Sequence, residues 1–264
     1  MNNKKITALL LAAAMGCAVF TSCGDKKDKS GSDSSSASSS EVSDAEKETE
    51  TFDSDNYNDK IIKDLESAEA SDEPLSYGSL GETITPAEDD DDSELGSYRV
   101  SDSGIKLYFD ETEFPEELML TLEQYFNSFA NVDYNTYSRC SYPDYTEKMQ
   151  VYLKKEFGYD MKNSFAAQCT NLANTMNGNF EITRIRLDVP PQYDETKDNL
   201  EAYFENFTDI LGENYYEELR KGADKIYDGE FYVMAKGHSG TEQLLVSAYE
   251  IVMVEKDGRY YIFG

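Results

Sequence analysis

The chain has 264 residues and carries 53 Asp plus Glu against 24 Lys plus Arg, a formal net charge of -29 and a pI near 4.2. A surface of that sign repels phosphate backbones and anionic headgroups, which excludes nucleic acid as a partner and means that charge cannot hold the protein at a membrane. Yet 39% of the residues are hydrophobic and 12% aromatic, too many for disorder throughout, so the acidic and apolar characters must occupy different regions.

The N-terminus reads as an export signal. Lys4 and Lys5 precede an apolar run from Ile6 to Met15, and Phe20-Thr21-Ser22-Cys23 places small residues before a cysteine. That arrangement resembles a bacterial lipobox, which implies a signal peptide over 1–22 and a lipid on Cys23. The apolar run is too short for a membrane span. Cys17 is a rival junction, but cleavage there leaves Ala18-Val19-Phe20 on the mature terminus. The expected location is therefore extracytoplasmic, with the bilayer reached through acylated Cys23.

Residues 23–104 read as a disordered tether, from the Ser34–Ser40 run to the acidic Glu88–Asp92. Such composition buries too little apolar surface to offset chain entropy, and like charges keep it extended. Ile61, Ile62 and Leu65 can nucleate a helical turn within it, and Leu75, Leu80 and Ile84 can dock on the domain. The stretch Asp53–Asp59 superficially suggests a calcium loop, but lacks the glycine and the closing glutamate at the required offsets.

Residues 105–264 read as one α+β domain, helices packed on a curved antiparallel sheet. Phe114-Pro115-Glu116-Glu117 opens a helix on which Leu118, Leu122, Phe126 and Phe129 recur at helical spacing, ending near Asp133. Asp144 to Glu147 suggests a capping box for a second helix stopped at Gly158. A third carries Phe165, Cys169, Leu172 and Met176. Phe180 to Val189 alternates as a strand and ends at Pro190-Pro191. Leu200, Tyr203, Phe204, Phe207 and Leu211 predict a further helix, and Leu219 with Ile226 a shorter one. Strands then follow at Phe231–Lys236, Leu244–Glu255 and Tyr260–Phe263, the last two joined by a tight turn at Lys256-Asp257-Gly258-Arg259.

The closing stretch from Tyr249 to Ile262, a long strand, an acidic-Gly turn and an aromatic strand, is similar to the final hairpin of the nuclear transport factor 2-like superfamily. The resemblance runs from about Phe114 to the C-terminus. It implies a sheet wrapped around the long first helix to form a cone, and in catalytic relatives an acid/base group within it. The helical residues between Pro191 and Ile226 depart from that pattern.

Few residues suggest catalysis. His238, the sole histidine, falls in a Gly-flanked turn, and Gly237-His238-Ser239-Gly240 has the wrong spacing for a nucleophile elbow. One His and two domain Cys offer no metal-ligand spacing, and no phosphate loop or dinucleotide fingerprint is present, so no metal or cofactor is expected. Cys140 and Cys169 can pair in an exported protein, or Cys169 can be a buried thiol. Tyr142, Tyr145, Tyr152 and Tyr159 gather around the second helix, as core or as a recognition surface.

Arg184 and Arg186 share one strand face, while Glu250 lies within an apolar strand. With Tyr232, Tyr249 and Tyr261 they form the candidate ligand-binding set, if the sheet brings them together on its concave face; otherwise they are outward ion pairs. The leading expectation is a non-enzymatic, membrane-anchored lipoprotein domain that binds an envelope ligand or protein. An enzyme using Glu250 or Asp188 as acid/base, and a structural envelope subunit dimerising through its sheet, are the alternatives.

Overall fold

The computed structural model describes residues 52–67, 75–90, 92–193 and 195–263. The expected signal peptide over 1–22, Cys23 and the Ser34–Ser40 run lie outside the described residues. Eight α-helices and a six-stranded mixed sheet are present among those described. In chain order they are α1 (Ser54–Ser67), β1 (Arg99–Val100), β2 (Lys106–Phe109), α2 (Glu116–Asn131), α3 (Tyr134–Cys140), α4 (Pro143–Phe157), α5 (Met161–Thr175), β3 (Glu181–Asp188), α6 (Asn199–Asn206), α7 (Thr208–Leu211), α8 (Tyr215–Gly222), β4 (Lys225–Lys236), β5 (Glu242–Lys256) and β6 (Arg259–Phe263).

α2 is the centre of the molecule. Its apolar positions are not confined to one stripe: Leu118, Met119, Leu120, Leu122, Tyr125, Phe126 and Phe129 are all buried. A helix apolar around most of its girth has to be enclosed. The sheet covers one side, where Phe126 meets Phe231 of β4 with ring centroids 4.9 Å apart. α3 and α5 cover another, with Phe129 stacked on Phe165 at 5.2 Å and edge-on to Tyr137 at 5.5 Å. α2 ends where Val132 takes a left-handed backbone and its N–H bonds back to Phe129 and Ser128.

The strand order is β1-β2-β3-β4-β5-β6, antiparallel throughout except that β2 and β3 run parallel. The expected all-antiparallel sheet is thus mixed, because β2 enters before the helices and β3 after them, a crossover that returns the chain in the same direction. On β4 burial alternates strictly: Tyr227, Gly229, Phe231, Val233 and Ala235 face inward, while Asp228, Glu230, Tyr232 and Met234 face outward. Register shifts interrupt the β3–β4 and β4–β5 ladders, and bulges of this kind bend strands. The β5–β6 turn has Asp257 and Gly258 both at positive φ, as a two-residue hairpin requires.

Several elements differ from the sequence-based expectation. The segment expected to be tether up to residue 104 is helical at Ser54–Ser67, where Ile61 and Leu65 are buried, and from Leu75 onward it joins the domain. Asp53 lies at the start of α1, its Oδ1 accepting from Asn56 N at 3.1 Å, so this acidic stretch caps a helix. Gly81 N donates to Val100 O at 2.8 Å, and Arg99 Nε donates to Gly81 O at 2.7 Å. α4 begins at Pro143 with no side-chain cap, whereas the capping box sits at Asp160 and Asn163 on α5. The helix expected over Leu200–Leu211 is divided at Phe207, and Ile226 belongs to β4.

Asp92, at the end of the acidic run, is buried and contacts both Lys106 of β2 and Arg184 of β3. Arg184 also reaches Glu242 of β5 at 2.7 Å. The Lys106 hydrogen bond, with the charge of Arg184, holds the Asp92 carboxyl below its ordinary value. A carboxylate with a lowered folded-state pKa stabilises the fold above the ordinary carboxylate range, and that contribution is lost as pH falls through the lowered value. Asp92→Asn leaves two cations facing each other across the sheet. We expect it to cost about 2 kcal/mol, read as a lower urea midpoint at pH 7, with the difference from wild type shrinking below the carboxylate range.

Candidate functional site

The space under the sheet, where the cone pocket was expected, is nearly full. The cavity that remains has a volume of about 30 Å³ and is lined by side chains including Tyr125, Tyr145, Tyr203, Phe207, Tyr249 and Ile251. That is room for a water molecule or two. Burial lifts the Tyr125 and Tyr203 phenols well above their usual range, so they stay neutral. Tyr203 of α6 and Phe207 just after it lie in the stretch between Pro191 and Ile226 that departs from the superfamily pattern.

The candidate ligand set is not brought together. Arg184 and Arg186 lie on the opposite face of β3 from the buried Ile185 and Leu187, and neither lines a described cavity. Arg184 is consumed by Asp92 and Glu242, and Arg186 bonds Asp188 through Nε at 2.9 Å. Arg184 thereby ties β3 to β5 and to the segment at Asp92, Arg186 pairs within its own strand, and the structure does not bring the two arginines into the inner cavity. Tyr249 faces Phe231, their rings 5.5 Å apart, and lines the inner cavity. Tyr261 packs edge-on to Tyr142 at 5.8 Å. His238 is exposed in its turn. Cys140 and Cys169 are both buried free thiols rather than a disulfide, and burial pushes the Cys140 thiol up to about 12.

Tyr232 and Glu250 belong instead to the outer face of the sheet, and an open cleft of about 490 Å³ reaches that face at Asp228 alone of its carboxylates. Val189, Pro190, Gln192 and Glu195 form one wall, and Lys197, Asp198, Asn199 and Leu200 at the start of α6 form the other, with Asp228 of β4 at the base. Pro190 and Pro191 stop β3 and turn the chain away from β4, and Asp198 caps α6 by accepting from Leu200 N. The two walls are thereby held apart over the sheet.

Three carboxylates crowd this face. Glu230 and Glu250 are directly opposed on β4 and β5, and Asp228 is two residues along the same face of β4. No Lys or Arg ion pair reaches any of the three among the described residues. Desolvation, reinforced by the charges of Asp228 and Glu230, pushes the Glu250 carboxyl up to about 7. Burial likewise raises Asp228. Glu230 is held by two phenols: Tyr193 Oη donates to one oxygen at 2.7 Å and Tyr232 Oη to the other at 2.6 Å. Tyr193 and Val189 are among the exposed large hydrophobic residues and rim the cleft. Among the described residues no group of three or more His, Cys, Asp or Glu is arranged to hold a metal ion.

Sequence reasoning missed Asp228, Glu230 and Tyr193 as members of one site. The signal was present in part: Asp228, Glu230 and Tyr232 alternate with apolar residues and so share a strand face, and Glu250 falls in the strand that follows. What brings Tyr193 over them is the path of the chain after Pro191, for which no local pattern exists.

A carboxyl whose folded-state pKa lies above its unfolded value weakens the fold once it must ionise, so between the ordinary glutamate range and about pH 7 stability falls as pH rises. We expect the melting temperature to decline from pH 5 to pH 7.5 and Glu250→Gln to flatten that decline; an unchanged slope places Glu250 in ordinary solvent. A comparison of the chain with protein-family models, curated proteins and solved structures finds no match.

Proposed function

We propose that this chain is an extracytoplasmic lipoprotein, held to the bilayer through Cys23, whose α+β domain captures cationic ligands in the cleft between the 189–199 segment and the outer face of β4. The observation that carries the reading is an open cleft with Asp228 at its base, next to Glu230 and Glu250 on the same sheet face, with no Lys or Arg ion pair to any of the three among the described residues. Asp228, Glu230 and Glu250 repel one another in a partly desolvated place, and an ammonium or guanidinium group set between them relieves that cost. The Tyr232 ring already carries the Arg186 guanidinium at 5.9 Å, and the exposed ring of Tyr193 adds a face on which a ligand cation can rest. The likeness to the nuclear transport factor 2-like cone belongs to the same reading and is supported by α2 under the sheet and by the β5–β6 hairpin. In this reading the ligand sits outside the cone, since α6 fills the space within.

A second reading is favoured by one observation, the Glu250 carboxyl at about 7, a value suited to general acid/base work at neutral pH. Glu250→Gln distinguishes the two: it abolishes turnover if the carboxyl is catalytic, and weakens capture of a cation if the site only binds.

Binding is tested with pentalysine on the full chain, with a pentaglutamine peptide as the uncharged control. The pair Asp228→Asn and Glu250→Gln removes two of many negative charges, so a fall in affinity of tenfold or more localises capture to the cleft. An unaltered affinity assigns the peptide to the acidic chain at large and overturns the reading. Binding is also expected to weaken as pH falls through 7, where Glu250 takes up its proton. The anchor is tested separately: Cys23→Ala should move the protein from the detergent phase to the medium, because acyl chains supply the membrane affinity.

A further inference from the structure

We propose that α1 is a releasable strap, a helix that packs mainly on the single neighbour α5 and detaches as a unit while the rest of the domain stays folded, uncovering the α5 surface around Cys169. α1 contributes only two fully buried side chains to the core, Ile61 and Leu65. Two side-chain hydrogen bonds tie it to α5: Lys162 Nζ donates to Leu65 O at 2.8 Å, and Thr170 Oγ1 donates to Asn58 Oδ1 at 3.2 Å. A crevice of about 80 Å³ remains between the two helices at Ile62, Leu65, Lys162 and Asn163. A 14-residue helix is marginal by itself in water, so α1 stands only while this seam is made.

The surface beneath is apolar and tightly drawn. Lys162, Ala166, Cys169 and Ala173 recur on α5 at helical spacing, with Thr170 beside them. Ala166, Cys169 and Ala173 are all buried. Burial raises the Tyr57 phenol of α1, and the nearby Cys169 adds to the rise. By contrast the chain after α1 is bound strongly, through Arg99 to Glu116 at 2.9 Å and through Asp92 to Lys106 and Arg184. Opening therefore stops at the end of α1, whose packing falls mainly on one neighbouring helix. If the chain is anchored at Cys23 as proposed above, pull from the membrane arrives at α1 first. Release lengthens the tether from about 21 Å of helix to as much as about 48 Å of extended chain.

The test needs no ligand and no anchor, so it stands or falls apart from the cation-binding reading. The full chain is treated with iodoacetamide under native conditions, and modification is followed peptide by peptide. Cys140 lies in the core away from α1 and serves as the internal control. In the double variant Ile61→Asp, Leu65→Asp, Cys169 is expected to react at least tenfold faster while Cys140 stays protected; an unchanged rate at Cys169 overturns the proposal. If both thiols accelerate, the variant has unfolded, and native-state hydrogen exchange on the unaltered chain decides. Amides of α1 are then expected to exchange about a hundredfold faster than those of α2, and equal protection of the two helices overturns the strap.

Discussion

The constraint from which the remainder of the structure follows is the enclosure of α2. A helix with ten buried residues out of sixteen cannot lie on a surface, and each neighbouring element can be understood by the part of α2 it removes from water. β4 supplies Phe231, α5 supplies Phe165 and α3 supplies Tyr137, all within 5.5 Å ring to ring of Phe126 or Phe129. Truncating a buried phenylalanine of this kind typically costs about 3 to 5 kcal/mol. That figure is comparable with much of the stability of an ordinary domain, which is why so much of the aromatic content of this chain is spent around a single helix. The same enclosure explains why the cavity under the sheet is only about 30 Å³, since Tyr203 and Phe207 help to line it beside Tyr125 of α2.

The outer face follows opposite physics. There the sheet carries charge. Arg184 of β3 meets Asp92 and Glu242 from elsewhere in the chain and fastens them, while Arg186 meets Asp188 of its own strand. Asp228, Glu230 and Glu250 share a face with no Lys or Arg ion pair among the described residues, so the cost of crowding them is left standing.

How much of this was legible depended on how local the cause was. α2 could be read because Leu118, Leu122, Phe126 and Phe129 repeat along one segment, and β5 with β6 because the Asp257-Gly258 turn joins them directly. β2 could not: four residues whose pairing partner is Lys106 to Arg184, on the far side of four helices, leave no periodicity to find. Arg184 was legible as a cation on a strand, but its partner Asp92 sits in a run of acids that by composition belongs to solvent. Asp160 with Asn163 went unrecognised as a capping box because asparagine replaces the usual Glu or Gln, whereas Asp144 carried the pattern and Pro143 took the first helical position ahead of it.

The two thiols of the domain lead to a different kind of conclusion. Cys140 and Cys169 are packed as small apolar groups on separate helices, and burial raises both thiols far from the ionised form that oxidants and disulfides attack. Neither of these thiols is cross-linked. Such a domain reaches its native state without a thiol oxidase and keeps it in reducing surroundings, so the redox state of the compartment that receives it is a matter of indifference to these two residues.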